Sequence, residues 1–109
     1  MVYKVIVAAL KPNVTDQVVD AAKTCGISGA TIVPGHGTGM HDAATFLGLT
    51  LEMQTDVVFF LAEEELVRPV MAAIHRAGKL DEHGTGIVFV LPVEQVAGIK
   101  EEIVRRDRN

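Results

Sequence analysis

Two short stretches of the sequence contain the side chains and glycines that could do chemistry. The first, "VPGHGTGMHD" at residues 33–42, contains three glycines, two histidines and one aspartate, and the second, "DEHGTG" at 81–86, repeats the Gly-Thr-Gly triplet. Glycines let backbone N–H groups converge on an anion such as phosphate, whereas imidazole and carboxylate groups suit zinc, copper or nickel. The residue types thus leave three interpretations open: a phosphate cradle, a metal site, or ordinary turns.

The candidate metal ligands are His36, His41 and Asp42. They lack the tight His-x-His or HExxH spacing of strong metal motifs, and the first glycine stretch lacks the Lys-Ser/Thr ending of a P-loop. No Ser-His-Asp or Cys-His arrangement can be argued from the sequence. We therefore predict that the protein is not an enzyme, and that any ligand is held by loops.

Length and composition restrict the class of protein. The chain has 109 residues, enough for one domain over 1–109. Its formal net charge of −4 argues against nucleic acid and anionic membranes as partners, because both select basic surfaces. No apolar run is long enough to span a bilayer. We expect a cytoplasmic protein without membrane insertion.

The order of elements predicts an α+β fold in which one βαβ unit occurs twice. β-branched apolar runs predict strands at 2–10, 29–33, 55–62 and 86–91, and helical spacing predicts helices at 14–25 and 63–77. Asn13 or Thr15 could cap the first helix, Gly26 and Gly78 could end the two helices, and 93–109 predicts a short terminal helix. This βαβ-loop-βαβ plan is ferredoxin-like, with a four-stranded antiparallel sheet.

The predicted strands are apolar on both faces. "KVIVAAL", "DVVFFLA" and "GIVFVL" are apolar at nearly every position, although two helices can cover only one face of a four-stranded sheet. The second face must be buried against something else, so the sequence predicts a homo-oligomer.

Several stretches together resemble the PII signal-transduction family. "VIVAALKP" resembles that family's first strand and Lys-Pro turn, "GISGATIV" its second strand, and "GTGIVFVLPVEQV" its last signature strand. "AGKLDEHGTG" lies where the family has its B-loop. The resemblance covers about 2–100, nearly the whole chain.

The resemblance implies a homotrimer with its sheets facing inward and adenine-nucleotide clefts between subunits. It places a T-loop-like connection at 34–48, a B-loop-like segment at 79–86 and a C-terminal segment at 93–109. Such proteins are regulators that bind a small-molecule effector and act on a membrane transporter or an enzyme. The implied nucleotide-binding residues are Gly29, Thr31, Gly35, Gly37, Thr38, Gly39, Gly84, Thr85, Gly86 and Lys100.

The chain also departs from the family pattern. Thr38 and Gly39 replace the family's Arg-Gln pair, and the B-loop Gly-Asp-Gly-Lys becomes Gly-Thr-Gly-Ile. The family's Arg-x-Arg near the C-terminus becomes Gly-Ile-Lys at 98–100, in which only Lys100 is cationic. Because a triphosphate needs several charge-assisted contacts, AMP or ADP fits these residues more easily than ATP.

From the two Gly-Thr-Gly loops we expect one binding site, in which they lie close together at one edge of the sheet. Two alternatives stay open. One is a trimeric metal-binding or metal-tolerance protein that uses His36, His41 and Asp42, and the other is a structural adaptor without a ligand.

Overall fold

A computed structural model describes residues 1–36, 45–46, 49–50, 54–82 and 84–99. Side chains of the short strands at 45–46 and 49–50, and of His36, are not described. The elements follow in the order β1 (Tyr3–Leu10), α1 (Pro12–Thr24), β2 (Thr31–His36), β3 (Thr45–Phe46), β4 (Leu49–Thr50), β5 (Gln54–Glu63), α2 (Glu64–Ala77) and β6 (Gly86–Pro92).

The main sheet has the order β2-β5-β1-β6, and every neighbouring pair is antiparallel. Two βαβ units give this order, because each crossover helix carries the chain past one strand position, which a strand of the other unit fills. The predicted ferredoxin-like α+β fold is confirmed. β3 and β4 pair separately as a two-stranded ribbon within the long connection.

The core lies between the two helices and one face of the sheet. Alternate residues of β1 and β5 point toward the helices, as strand periodicity requires. The largest fully buried side chains are Phe60, Ile6, Leu10, Ile74, Val18, Val58 and Val70. Burial of these aliphatic and aromatic groups at about 25 cal/mol per Å² is the main stabilising contribution to the subunit.

The opposite face of the sheet, which we call the open face, is also apolar. The strand register places Thr31, Phe59, Val7 and Phe89 in one row across it, and Val33, Val57, Ala9 and Ile87 in the next. Several of these side chains are exposed in the subunit, among them Val33 (48%), Phe59 (39%) and Leu61 (40%). The sequence expectation that both faces are apolar is confirmed.

The helix ends differ in detail from the expectation. α1 begins at Pro12 with Lys11 at the N-cap position and no side-chain capping bond, so the predicted caps at Asn13 or Thr15 are wrong. Pro12 can start the helix because its missing N–H would have no partner there. Gly26 (φ +114°) follows the end of α1, as predicted.

The end of α2 is made by two residues together. Gly78 has an ordinary φ of −84°, and Lys79 instead adopts the left-handed conformation (φ 55°). A Cβ at Gly78 would lie 3.1 Å from the carbonyl oxygen of Ile74 and 3.3 Å from Val18. Gly78 thus allows α1 and α2 to pack closely, and Lys79 turns the chain.

The expected terminal helix is wrong for the part that the structure describes. Residues 93–99 follow β6 without helical structure, and the backbone N–H of Val93 donates to the carbonyl of Tyr3. Residues 100–109 lie outside the described residues. Among the helices described, none has the length and apolar character needed to cross a bilayer.

Thr15 joins α1 to the start of β5. Its hydroxyl donates to Oδ2 of Asp56 at 2.6 Å, and its side chain is buried. Replacing Thr15 with valine keeps the shape but leaves the carboxylate oxygen without this donor. We expect a loss of about 1–2 kcal/mol in the free energy of unfolding, measured by urea denaturation. Thr15→Ser should recover most of it, and equal losses in the two variants would contradict a role for the hydroxyl.

Candidate functional site

One end of the sheet gathers most of the segments singled out in the sequence. There β1 and β2 finish and β5 and β6 begin, because Gly35 pairs with Thr55, Leu10 with Asp56, and Leu10 with Gly86. The start of α1 and the B-loop-like segment lie at the same end. We call it the loop end.

The two glycine-bearing segments are at the same end but not at the same edge. Gly35 lies on β2 and Gly86 on β6, and these are the two outer strands of the sheet. Three strand spacings of about 4.8 Å separate them, or about 14 Å. Gly35 and Gly86 therefore lie at opposite edges of the sheet. The first Gly-Thr-Gly triplet, 37–39, lies outside the described residues, so the expectation that the two loops meet stays a prediction.

β2 carries its predicted site residues along the open face. Thr31, Val33 and Gly35 alternate with the inward positions, and Thr31 pairs with Phe59 in the middle of the sheet. Gly29 precedes the strand and is exposed. Four residues of extended chain place Thr31 about 13 Å from Gly35, so Thr31 and Gly29 do not share the loop end with Gly35.

Hydrogen bonds within the B-loop-like segment determine its shape. The N–H of Glu82 donates to the carbonyl of Lys79 at 3.0 Å, and the hydroxyl of Thr85 lies 2.8 Å from the same carbonyl and 2.9 Å from that of Glu82. Nε2 of His75, on the last turn of α2, lies 3.0 Å from Oδ1 of Asp81. His83 lies outside the described residues.

The two glycines of this segment have different roles. Gly84 has a φ of +80°, and a Cβ there would meet nothing within 4 Å. Gly86 has a φ of +151°, and a Cβ there would collide with the carbonyl oxygen of Ala9 on β1. Gly84 is thus required by conformation alone, whereas Gly86 is required by the close approach of β6 to β1.

Two adjacent concave surfaces lie beside these loops. One, of about 250 Å³, is lined by Lys11, Asn13, Val14, Gly78, Lys79, Glu82 and Thr85. The other, of about 420 Å³, is lined by Lys11, Pro12, Asn13 and Gln54. Lys11 lines both surfaces, and Lys79 lines the smaller one. Neither Lys11 nor Lys79 forms an ion pair with a described residue.

Sequence reasoning did not select Lys11 or Lys79 as functional residues. The signal was available, because Lys11 opens the Lys-Pro turn and Lys79 opens the B-loop-like segment. What could not be read from the sequence is that β1, α1 and this segment converge.

The other predicted site residues are not positioned here. Gly37, Thr38, Gly39 and Lys100 lie outside the described residues, as do His41 and Asp42. Within the ranges that the structure covers, no three His, Cys, Asp or Glu side chains group closely enough to hold a metal ion. Asp81, the one acid of the second glycine stretch that the structure pairs, lies beside His75.

Comparison with known proteins places this geometry in a family. The family model for nitrogen regulatory protein P-II matches residues 3–103. A nitrogen regulatory protein P-II of Azospirillum brasilense is 32% identical over 102 residues, covering 89% of this chain and 91% of the relative. Another, from Cereibacter sphaeroides, is 28% identical over 105 residues with the same coverage.

A solved structure, that of Arabidopsis thaliana PII bound to citrate, has the same fold. It superposes with a TM-score of 0.65 at 24% identity and covers 84% of this chain and 78% of its own. Fold, sequence signatures and the extent of the match agree, and the chain belongs to the nitrogen regulatory protein P-II family.

Proposed function

We propose that this protein is a non-enzymatic, cytoplasmic regulator that binds an adenine nucleotide in clefts between the subunits of a homotrimer and acts on a transporter or an enzyme. The observation that carries the proposal is the exposed apolar open face, with Thr31 and Gly35 on its outer strand. This face requires partner copies, and partner copies create the clefts.

The open face supports the proposed trimer. Val33, Phe59, Leu61 and Leu91 are large apolar side chains exposed together on one surface. A monomer would present them to water at a cost of about 25 cal/mol per Å². Inward-facing sheets around a threefold axis cover them in three identical contacts, which is a closed arrangement.

The distances within one subunit also favour a site shared between subunits. Gly35 and Gly86 lie on opposite outer strands, and Thr31 lies on the open face away from both. A neighbour that packs on this face brings its own β2 or β6 beside the loop end. Gly29 and Thr31 would then come from one subunit and Gly84 and Gly86 from the next.

The charges near the loop end favour a nucleotide with few phosphates. Lys11 and Lys79 line the 250 Å³ surface together with one acid, Glu82. With Lys100 from the C-terminal segment, we propose that three cations face the phosphates. We therefore expect AMP or ADP to bind more tightly than ATP. The affinity for these nucleotides should fall as the salt concentration increases.

Calorimetry with AMP, ADP, ATP, 2-oxoglutarate and citrate tests the proposal directly. Citrate is included because the Arabidopsis PII structure contains it. In Gly35→Val a branched side chain would occupy the surface where we propose that the backbone of residue 35 contacts the ligand. Nothing in the subunit lies within 4 Å of the new Cβ, so the variant should still fold. We expect nucleotide affinity to fall by roughly tenfold, equivalent to about 1.4 kcal/mol.

The matched control is Ala72→Val on the exposed surface of α2, which should leave affinity unchanged. Parent protein that binds none of the nucleotides would contradict the nucleotide proposal. Zinc and nickel titrations are run in parallel, and metal binding that is lost in a His36→Ala, His41→Ala double variant would favour the metal alternative.

A further inference from the structure

We propose that Thr85 is a positioning residue: its hydroxyl holds the B-loop-like segment in a preformed shape and does not contact the ligand. This inference rests on the proposed function for its consequence in nucleotide binding, but its structural part can be tested without a nucleotide. It revises the expected role of Thr85 as a direct phosphate contact.

The hydroxyl is already used inside the segment. Its oxygen lies 2.8 Å from the carbonyl of Lys79 and 2.9 Å from that of Glu82. A threonine has one O–H to donate, and both nearby acceptors are backbone carbonyls of the turn. The hydrogen is therefore directed into the loop and not toward a phosphate oxygen, which would need a donor.

The backbone bonds of the turn depend on the same carbonyls. The N–H of Glu82 donates to the carbonyl of Lys79 at 3.0 Å, and the N–H of Thr85 donates to the carbonyl of Glu82 at 3.4 Å. The second of these bonds is long. Without the hydroxyl, the seven-residue turn from Lys79 to Thr85 would lose the bond that links its two ends, and would keep one good backbone bond in its first half and one weak bond in its second half.

The turn needs such support because Lys79 begins it in an unfavourable conformation. Lys79 is a non-glycine residue with a φ of 55°, whereas Gly84, with a φ of +80°, takes the left-handed conformation readily. A non-glycine residue keeps a left-handed conformation only where surrounding contacts determine it. Two contacts outside the turn assist: the N–H of Leu80 donates to the carbonyl of His75 at 3.0 Å, and Asp81 pairs with the His75 ring.

The consequence is that Gly84 is held in position before a ligand arrives, beside Gly86, which the sheet already fixes. A preformed loop avoids the entropy cost of ordering on binding. Without the hydroxyl, Gly84 and its neighbours in the turn should sample several conformations.

Hydrogen exchange without nucleotide separates the proposal from the alternatives. In Thr85→Val we expect amide exchange at Glu82 and residue 85 to accelerate by about tenfold, whereas Thr85→Ser keeps the hydroxyl and the parent rate. Thr24→Val is the matched control, because it also removes an exposed threonine bond to a carbonyl, that of Asp20 at 3.0 Å, but on α1. Unchanged exchange in Thr85→Val would overturn the proposal.

Nucleotide affinity is the second measurement. We expect a loss of about two- to tenfold in Thr85→Val, the range of one hydrogen bond, and recovery in Thr85→Ser. A loss of affinity with unchanged exchange in the free protein would show that the hydroxyl contacts the ligand and would overturn the proposal. Accelerated exchange in a protein whose parent binds no nucleotide would confirm the positioning role while contradicting the proposed function.

Discussion

A Phe59→Asp variant should run as a monomer in solution, whereas we expect the parent to run near three times its subunit mass of 11.7 kDa. Phe59 lies in the middle of the open face, between Thr31 on β2 and Val7 on β1. In the proposed trimer each aspartate would be buried among apolar neighbours, and burial of an unpaired carboxylate costs several kcal/mol. Three symmetric copies multiply the cost, so the assembly should be lost entirely.

The subunit itself should survive this change. Phe59 is 39% exposed in the subunit, and its neighbour Phe60 is the side chain that fills the core. Light scattering coupled to size exclusion measures the mass, and circular dichroism checks that the fold is kept. Ala72→Asp on the exposed surface of α2 introduces the same charge away from the open face and should stay trimeric. A Phe59→Asp protein that keeps the parent mass would contradict the open face as the interface.

The strands that form the open face could be predicted from the sequence alone. "DVVFFLA" predicts a strand buried on both sides, and in the structure Phe60 faces the helices while Phe59 faces outward. Alternation in β-strands follows directly from chain geometry, so strand positions and the apolar character of both faces are local properties. The turn at Gly26 was predictable for a similar reason, because only glycine takes its φ of +114° without strain.

Helix ends were less predictable because several local solutions compete. Lys11 occupies the N-cap position although Asn13 and Thr15 are better capping residues. Part of the reason is tertiary: the Thr15 hydroxyl bonds to Asp56 on β5 at 2.6 Å and lies 3.5 Å from the carbonyl of Lys11, so Thr15 stands inside the first turn and joins it to the sheet. The end of α2 shows the same effect, since close packing against Val18 determines Gly78 and leaves the left-handed position to Lys79.

The candidate site could be predicted only in part, because it depends on strand order. The sequence identified both glycine segments but not their separation by two strands. It likewise gave no indication that Lys11 and Lys79 line the same surface, since these lysines are far apart in the chain. Residue types indicate which chemistry is available, whereas the order of strands decides which residues can share a ligand.

Gly86→Ala should be the most destabilising single-methyl change in the B-loop-like segment, and the reason is structural and not a matter of ligand binding. The new Cβ would collide with the carbonyl oxygen of Ala9, and the φ of +151° disfavours any side chain. Relief requires β6 to move away from β1 at the point where Leu10 pairs with Gly86. We expect a loss of about 2–4 kcal/mol in the free energy of unfolding, measured by urea denaturation at fixed protein concentration because assembly adds to stability.

Two glycine controls separate the collision from the backbone conformation. Gly84→Ala changes a residue with a φ of +80° and open surroundings, so it should lose only about 1–2 kcal/mol for the left-handed conformation. Gly29→Ala has open surroundings and no positive φ, and its effect should stay within about 0.5 kcal/mol. If Gly86→Ala is no more destabilising than Gly84→Ala, the close approach of β6 to β1 is not what requires glycine. If the expected order holds, a bulky residue at 86 will disturb the sheet as well as the loop, and Gly35→Val becomes the cleaner probe of nucleotide binding because it has room in the subunit.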